Sequence, residues 1–250
     1  MNSKPGSDRQ QRGEGQVRYS VLPLLAVLAC ASAAAAEESP VSGEAHVAWL
    51  KSTGSSEKET FKGRLGSRYV REDWNHELKL EGLNELDGST GDRTSERYLV
   101  QEKSSWNYTE RNYLFIKLQA EKDQQTSWDY QAFAALGYGH IFIKTDTMFL
   151  STELGAGARH NKHELTGATV NDALGNAELE YEWKFRPGAR FNEDASVEAG
   201  KEGTVIRTRT ALTFDLTKVL NLSVVYETKR DDGPADLDDT LTAVGVGYRF

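Results

Sequence analysis

The chain of 250 residues is 38 % hydrophobic and 27 % charged, with 30 Lys and Arg against 38 Asp and Glu, a net charge of −8 and a single cysteine. That balance disfavours nucleic acid as a partner, because phosphate binding depends on clustered Lys and Arg, and one cysteine leaves no internal disulfide. Beyond one N-terminal run, no apolar stretch approaches the roughly 18 residues that a spanning helix needs. Only a β-barrel, with its hydrophobicity spread over alternate positions, could hold such a chain in a membrane.

The first element is a leader. Lys4, Arg9, Arg12 and Arg18 precede an apolar run over 21–36, and the acidic Glu37 and Glu38 follow at once. Ala34 and Ala36 supply the small side chains of a signal-peptidase site, so 1–36 is the expected signal peptide and 37–250 the expected barrel domain. The leader removes four basic and two acidic residues, leaving 26 Lys and Arg against 36 Asp and Glu, a net charge of −10 by count. Cys30 follows Val27, Leu28 and Ala29, a loose lipobox. It is either a lipoprotein anchor or is lost with the leader.

Twelve strands follow by period-two alternation. The first covers 44–52, where Ala45, Val47 and Trp49 oppose His46, Ala48 and Leu50. Strands at 58–70 and 74–84 flank a turn at 71–73, and one centred on 98–100 precedes another around 114–119. A sixth at 128–142 carries Tyr130, Ala132, Ala134, Leu136 and Tyr138 on one face, and a seventh runs over 148–159. The remainder are expected at 177–187, 195–201, 204–216, 219–230 and 239–250. In the tenth, Ile206, Thr208, Thr210, Leu212 and Phe214 oppose Arg207, Arg209, Thr213 and Asp215. In the last, Val244, Val246, Tyr248 and Phe250 oppose Leu241, Ala243, Gly245, Gly247 and Arg249.

Alternation fits a soluble sandwich as well as a barrel, because both need the same period. Connection lengths favour the barrel. The turns at 71–73, 108–111, 144–146 and 217–218 are short, whereas 84–94, 121–127, 160–175 and 230–239 are longer. Two short connections (53–57 and 202–203) and one longer one (188–194) are exceptions. Short turns on one side and long loops on the other suit an up-and-down antiparallel outer-membrane barrel, whereas a sandwich needs Greek-key crossovers. Trp74, Trp106, Tyr108, Trp128, Tyr130, Trp183, Tyr248 and Phe250 fall near strand ends, where amphipathic rings suit a lipid–water interface. The paired glycines 137/139, 155/157 and 245/247 sit in strands, so they are expected to relieve crowding rather than bind a dinucleotide.

Several segments together resemble a known family. They are Trp49-Leu50, 61–69, Glu96 to Tyr98, 112–123, 130–139, 154–159 and the terminal Tyr248-Arg249-Phe250. The chain is similar over about 43–250 to the salt-induced outer-membrane proteins of Gram-negative bacteria, an uncharacterised β-barrel domain family. The resemblance implies fold, outer-membrane location and a response to salt, and brings no catalytic residues. Tyr248 and Phe250 resemble the assembly signal of such barrels. The partners it implies are outer-membrane lipid, lipopolysaccharide and the barrel-assembly machinery, with a small solute if the lumen conducts.

Chemistry is sparse. His160, His163 and Glu164 lie in the expected loop after the seventh strand, but a pair at i and i+3 offers no third metal ligand by itself. The acids of 231–239 fit no EF-hand spacing. Glu153, Arg159, Arg207, Arg209, Asp215, Glu227, Lys229 and Arg249 are expected to form a lumenal ion-pair network of both signs, which argues against a single-sign filter. No cofactor, metal or catalytic residue is expected. The leading reading is a structural, envelope-stress or narrow-channel barrel. An outer-membrane lipid- or peptide-processing enzyme using the 160–164 segment and a soluble periplasmic β-protein are the alternatives.

Overall fold

The computed structural model describes residues 40–52, 58–233 and 237–250. The expected leader with Cys30, the connection at 53–57 and residues 234–236 lie outside them. Twelve strands run in chain order: β1 Val41–Ser52, β2 Lys58–Arg71, β3 Trp74–Asp87, β4 Arg93–Asn107, β5 Asn112–Asp123 and β6 Trp128–Lys144. They continue with β7 Met148–His163, β8 Thr169–Arg186, β9 Ala189–Gly200, β10 Gly203–Asp215, β11 Leu220–Asp231 and β12 Leu237–Arg249. Each pairs antiparallel with its sequence neighbours, and β12 returns to β1, closing the ring. Among the described residues no helix is long and apolar enough to cross a membrane.

Burial is inverted relative to a soluble sandwich. On β6 the outward Leu136 is 68 % exposed, whereas Lys117, inward on the adjacent β5, is 1 % exposed. Leu114, Ile116 and Leu118 on β5, Leu154 on β7 and Val244 and Val246 on β12 all present bare apolar side chains outward. Charged residues alternate with them toward the interior. A water-facing surface built this way would leave apolar area exposed and bury its charges, both costly. A lipid-facing one reverses the sign of the first term.

The sheet corrects the expected connections. Much of the long loops expected at 84–94 and 160–175, and the first part of the one at 121–127, is strand, and β3–β4, β5–β6 and β7–β8 are joined only by 88–92, 124–127 and 164–168. Polar residues continue the strands because their partners lie inside the barrel: Glu121, Asp123 and Asp172 are buried and paired. The 188–194 connection is likewise a two-residue turn, Pro187 and Gly188, with Gly188 at φ 72°. Pro sets the second position of a type II turn and Gly supplies the positive φ at the third. The marked loop asymmetry therefore largely disappears, and the inversion of burial is the stronger sign of a barrel.

Aromatic rings band both rims. Trp74 stacks on His76, Trp106 packs on Tyr108 and Trp183 on Phe185 at the short-turn end, all facing outward. Trp128 departs from the expected pattern. It is 5 % exposed and meets His163 edge-on beneath a bulge between Trp128 and Tyr130, which turns its side chain away from the outer surface.

Candidate functional site: the lumen

The inner face is built from small residues and rings on one wall and charges on the rest. Gly137, Gly139 and Gly155 on β6 and β7 leave space that Tyr113 and Phe115 of β5 occupy. A Cβ on Gly139 would collide with the Tyr113 ring, and one on Gly137 with Phe115. Tyr113, Phe115 and Ile141 form a buried apolar cluster, and Phe133, Ala135 and Leu174 a second. Opposite them a cavity of about 610 Å³ extends from Ser42, Glu44 and Arg249, near the start of β1 and the end of β12, to Glu121, Lys229 and Asp239 in the other half.

Ion pairs cross this lumen at several levels. Near the end that carries the start of β1 and the end of β12, Arg190 of β9 reaches Glu44 of β1 with Nη2 at 2.6 and 2.7 Å from the two carboxylate oxygens. Asn221 donates to the same Glu44 at 2.5 Å, and Arg249 bonds Asp215 at 3.0 Å. Farther in, Lys103 of β4 donates to Glu153 of β7 at 2.8 Å, and the Tyr113 hydroxyl donates to the same oxygen at 2.8 Å. Lys117 of β5 is paired with Glu178 of β8. In the far half, Glu121 of β5 accepts from Arg207 of β10 and Lys229 of β11, both at 2.7 Å. Lys229 also meets Asp123 at 2.8 Å, Lys62 of β2 is paired with Glu227 of β11, and Arg97 of β4 reaches Asp239 of β12 at 3.2 Å. Side chains of both signs thus satisfy each other in a region where an isolated charge would be expensive.

All eight residues expected to form the lumenal network face inward, in separate groups. Glu153 belongs with Lys103 and Tyr113, Arg207 and Lys229 with Glu121, and Asp215 with Arg249. Arg209 lies 3.5 Å from both Asp194 and Glu227. Arg159 stands apart, 3.5 Å from Asp172 and donating to the Gly203 carbonyl at 3.2 Å. The residues that connect the groups across the lumen, Glu44, Glu121, Lys117 and Arg190, are absent from the sequence-based set. Glu121 and Arg190 fall in the expected connections, and Glu44 is the first residue of the expected first strand, which the structure extends back to Val41. Extending the alternation of β5 through Tyr113, Phe115, Lys117, Gln119, Glu121 and Asp123 would have found three lumenal charges.

The structure does not bring His160 and His163 together. Both belong to β7 rather than to a loop, and their odd spacing along a strand sends them to opposite faces. His160 is outward, bonded to Asn171 at 2.7 Å, whereas His163 is inward against Trp128. Among the described residues, no group of three or more His, Cys, Asp or Glu is placed to hold a metal. Of the acids of 231–239, Asp231 accepts the Gly233 amide at 3.0 Å, Asp232 accepts the Thr204 amide, and Asp239 is held by Arg97.

Residues 46–250 match the family model described as protein of unknown function, DUF481. The chain belongs to this family. It is similar to the uncharacterized protein YdiY of Escherichia coli K12, 24 % identical over 78 % of this chain and 85 % of that one. In fold it is similar to the NanC porin, with a TM-score of 0.53 at 9 % identity over 84 % of this chain and 100 % of that one. A weaker likeness, at a TM-score of 0.46 and 14 % identity, links 90 % of this chain to 94 % of the translocator domain of the autotransporter NalP from Neisseria meningitidis. The shared feature is the closed barrel of outer-membrane proteins, and family membership itself assigns no activity.

Proposed function

We propose that this protein is an outer-membrane barrel of a Gram-negative envelope that forms a narrow polar passage held closed by cross-lumen ion pairs. The observation that carries the reading is the 610 Å³ cavity, lined by charges of both signs and spanned by the Arg190–Glu44 and Arg207–Glu121–Lys229 contacts. The bare apolar belt and aromatic rims suit lipid and lipopolysaccharide as surroundings, and a leader at 1–36 suits export. The terminal Phe250 suits recognition by the barrel-assembly machinery. Salt enters naturally, because the screening length falls from about 10 Å at 0.1 M to about 3 Å at 1 M, weakening pairs that water reaches. Opening would then be favoured at high ionic strength.

Single-channel recording of the refolded full-length chain in planar bilayers tests this. Wild type is expected to show small steps. Glu121→Gln, which weakens the hold on Arg207 and Lys229, and Glu44→Gln, which weakens it on Arg190, are expected to raise the open probability several-fold. Bilayers that stay silent for wild type and both variants at every salt concentration would favour a structural barrel, the second reading, which the number of cross-lumen ion pairs supports.

A further inference from the structure

Most strands turn charges of both signs into the lumen, but two of them each turn in mainly one sign. β2 turns Lys58, Lys62, Arg64 and Arg68 inward and no acid. β8 turns Asp172, Glu178, Glu180 and Glu182 inward, and no base until Lys184 at its rim. In a closed ring of twelve strands these two stand six apart, which places them across the diameter from each other. The cavity lies between them and is lined by Arg64 and Arg68 on one side and by Glu178, Glu180 and Glu182 on the other.

Both walls keep unspent capacity. Arg64 has its nearest acid, Glu81, only at 3.6 Å, and its buried Nη1 has no hydrogen-bond partner. Glu180 is half-buried and faces the cavity, and no hydrogen bond or salt bridge to it occurs among the described residues. Every acid near it on the same wall (Glu178, Glu182 and, paired to it in register, Asp194 of β9) already has a polar or cationic neighbour. Arg68 is paired with Glu77 at 3.0 Å and faces the same cavity as Glu180 and Glu182. The result is a transverse field with one available donor group and one available acceptor group on opposite banks.

We infer that the lumen binds a small zwitterion, with its carboxylate toward Arg64 and Arg68 and its ammonium toward Glu180. A simple anion or cation satisfies one bank and is repelled by the other, and a neutral solute gains nothing from the field. A molecule that carries both charges at its two ends aligns with it and replaces water at both groups, each contact being charge-assisted. The site deepens the proposed passage by giving it a class of solute, and rests on that reading for its physiological sense only, since binding can be measured whether or not the barrel conducts.

Equilibrium titration of the refolded full-length protein in detergent micelles, with glycylglycine as the zwitterion, provides the test. Acetate, methylammonium and the neutral N-acetylglycinamide serve as controls. Glycylglycine is expected to bind at least about tenfold more tightly than any control, roughly the free energy of one added charge-assisted contact. Glu180→Gln is expected to lose that preference while keeping the heat-modifiable migration of the folded barrel, because Glu180 holds no structural partner. Arg64→Gln with Arg68→Gln is expected to lose it too, provided the same migration shows that it folds. Equal binding of all four probes, or undiminished glycylglycine binding by Glu180→Gln, overturns the inference. Zwitterion binding by a barrel that never conducts upholds this site and overturns the passage; conductance with no probe preference does the reverse.

Discussion

Phe250 closes the barrel on Gly43. The Gly43 amide donates to the Phe250 carbonyl at 2.9 Å, the Phe250 amide donates back at 3.0 Å, and the terminal ring lies where a Gly43 side chain would be. A Cβ at position 43 would stand 2.5 Å from the ring and 2.6 Å from the Gly66 carbonyl. The last residue and one of the first described residues thus meet as a hydrogen-bonded pair at the start of the seam.

Gly43→Val should therefore weaken closure by about 1–3 kcal/mol, the usual cost of overpacking a fitted site. Phe250→Ala should remove the ring contact while leaving the backbone bonds. Folded fraction after dilution into lipid vesicles, read as the fast-migrating band of unheated samples, measures both. Equal folding of Gly43→Val and wild type would show that the ring moves aside freely.

The rest of the seam is short. Registered pairing of β1 with β12 runs from Glu44↔Arg249 to Ala48↔Gly245, whereas β1 pairs with β2 from Val41↔Tyr69 to Ser52↔Lys58. Beyond Ala48 the β12-facing edge of β1 has no registered partner among the described residues. Amide exchange at Trp49 and Val244 is expected to be at least about tenfold faster than at Val47 and Val246, because local opening there breaks fewer ladder bonds. Uniform protection along β1 would contradict an open upper seam.

Lys117 tests the energetics of the lumen. It is 1 % exposed, paired with Glu178 and lies 5.4 Å from the centre of the Phe133 ring. Lys117→Met leaves Glu178 without its cation and should destabilise the barrel by roughly 3–5 kcal/mol, whereas Lys117→Met with Glu178→Leu should recover most of the loss. Urea unfolding midpoints in vesicles separate the two. A single variant as stable as wild type would mean that water already solvates Glu178.

The tight turn between β2 and β3 contains a small reservoir of strain. Glu72 adopts φ 54°, a left-handed conformation unfavourable for a residue with a Cβ. Glu72→Gly removes that strain but frees the unfolded chain. The net effect should be stabilising by less than about 1 kcal/mol, and the same unfolding measurement detects it. Destabilisation would show that the Glu72 side chain contributes more than its backbone costs.

Strand number and facing were legible because the period of two is written into residues such as Ile206 to Phe214 and Leu114 to Leu118. Their assignment survives any error in strand ends. Strand length was harder to read. Polar stretches such as Glu121–Asp123 and the start of β8 look like loops when only composition is considered. They continue as strand because neighbours on both sides pair their backbones, and because their carboxylates are satisfied inside the barrel. Glu121 and Asp123 are satisfied by cations five or six strands away, and Asp172 by Arg159 of the adjacent strand and the amides of Lys201 and Glu202. Trp128 misled for a related reason: a bulge, invisible in composition, changes the face on which a side chain emerges.

By itself, the sequence determined that this chain alternates, ends in an aromatic strand and has too little continuous hydrophobicity for a helical span. Those are properties of neighbours in the chain, and local sterics and periodicity are enough to express them. Only the tertiary structure decided which distant charges meet inside the barrel. Glu44 finds Arg190, Lys103 finds Glu153, and Glu121 finds both Arg207 and Lys229 because closing twelve strands brings far-apart positions across one narrow lumen. The same closure sets the basic face of β2 opposite the acidic face of β8. No spacing along the chain encodes that opposition, since it depends on how many strands complete the ring.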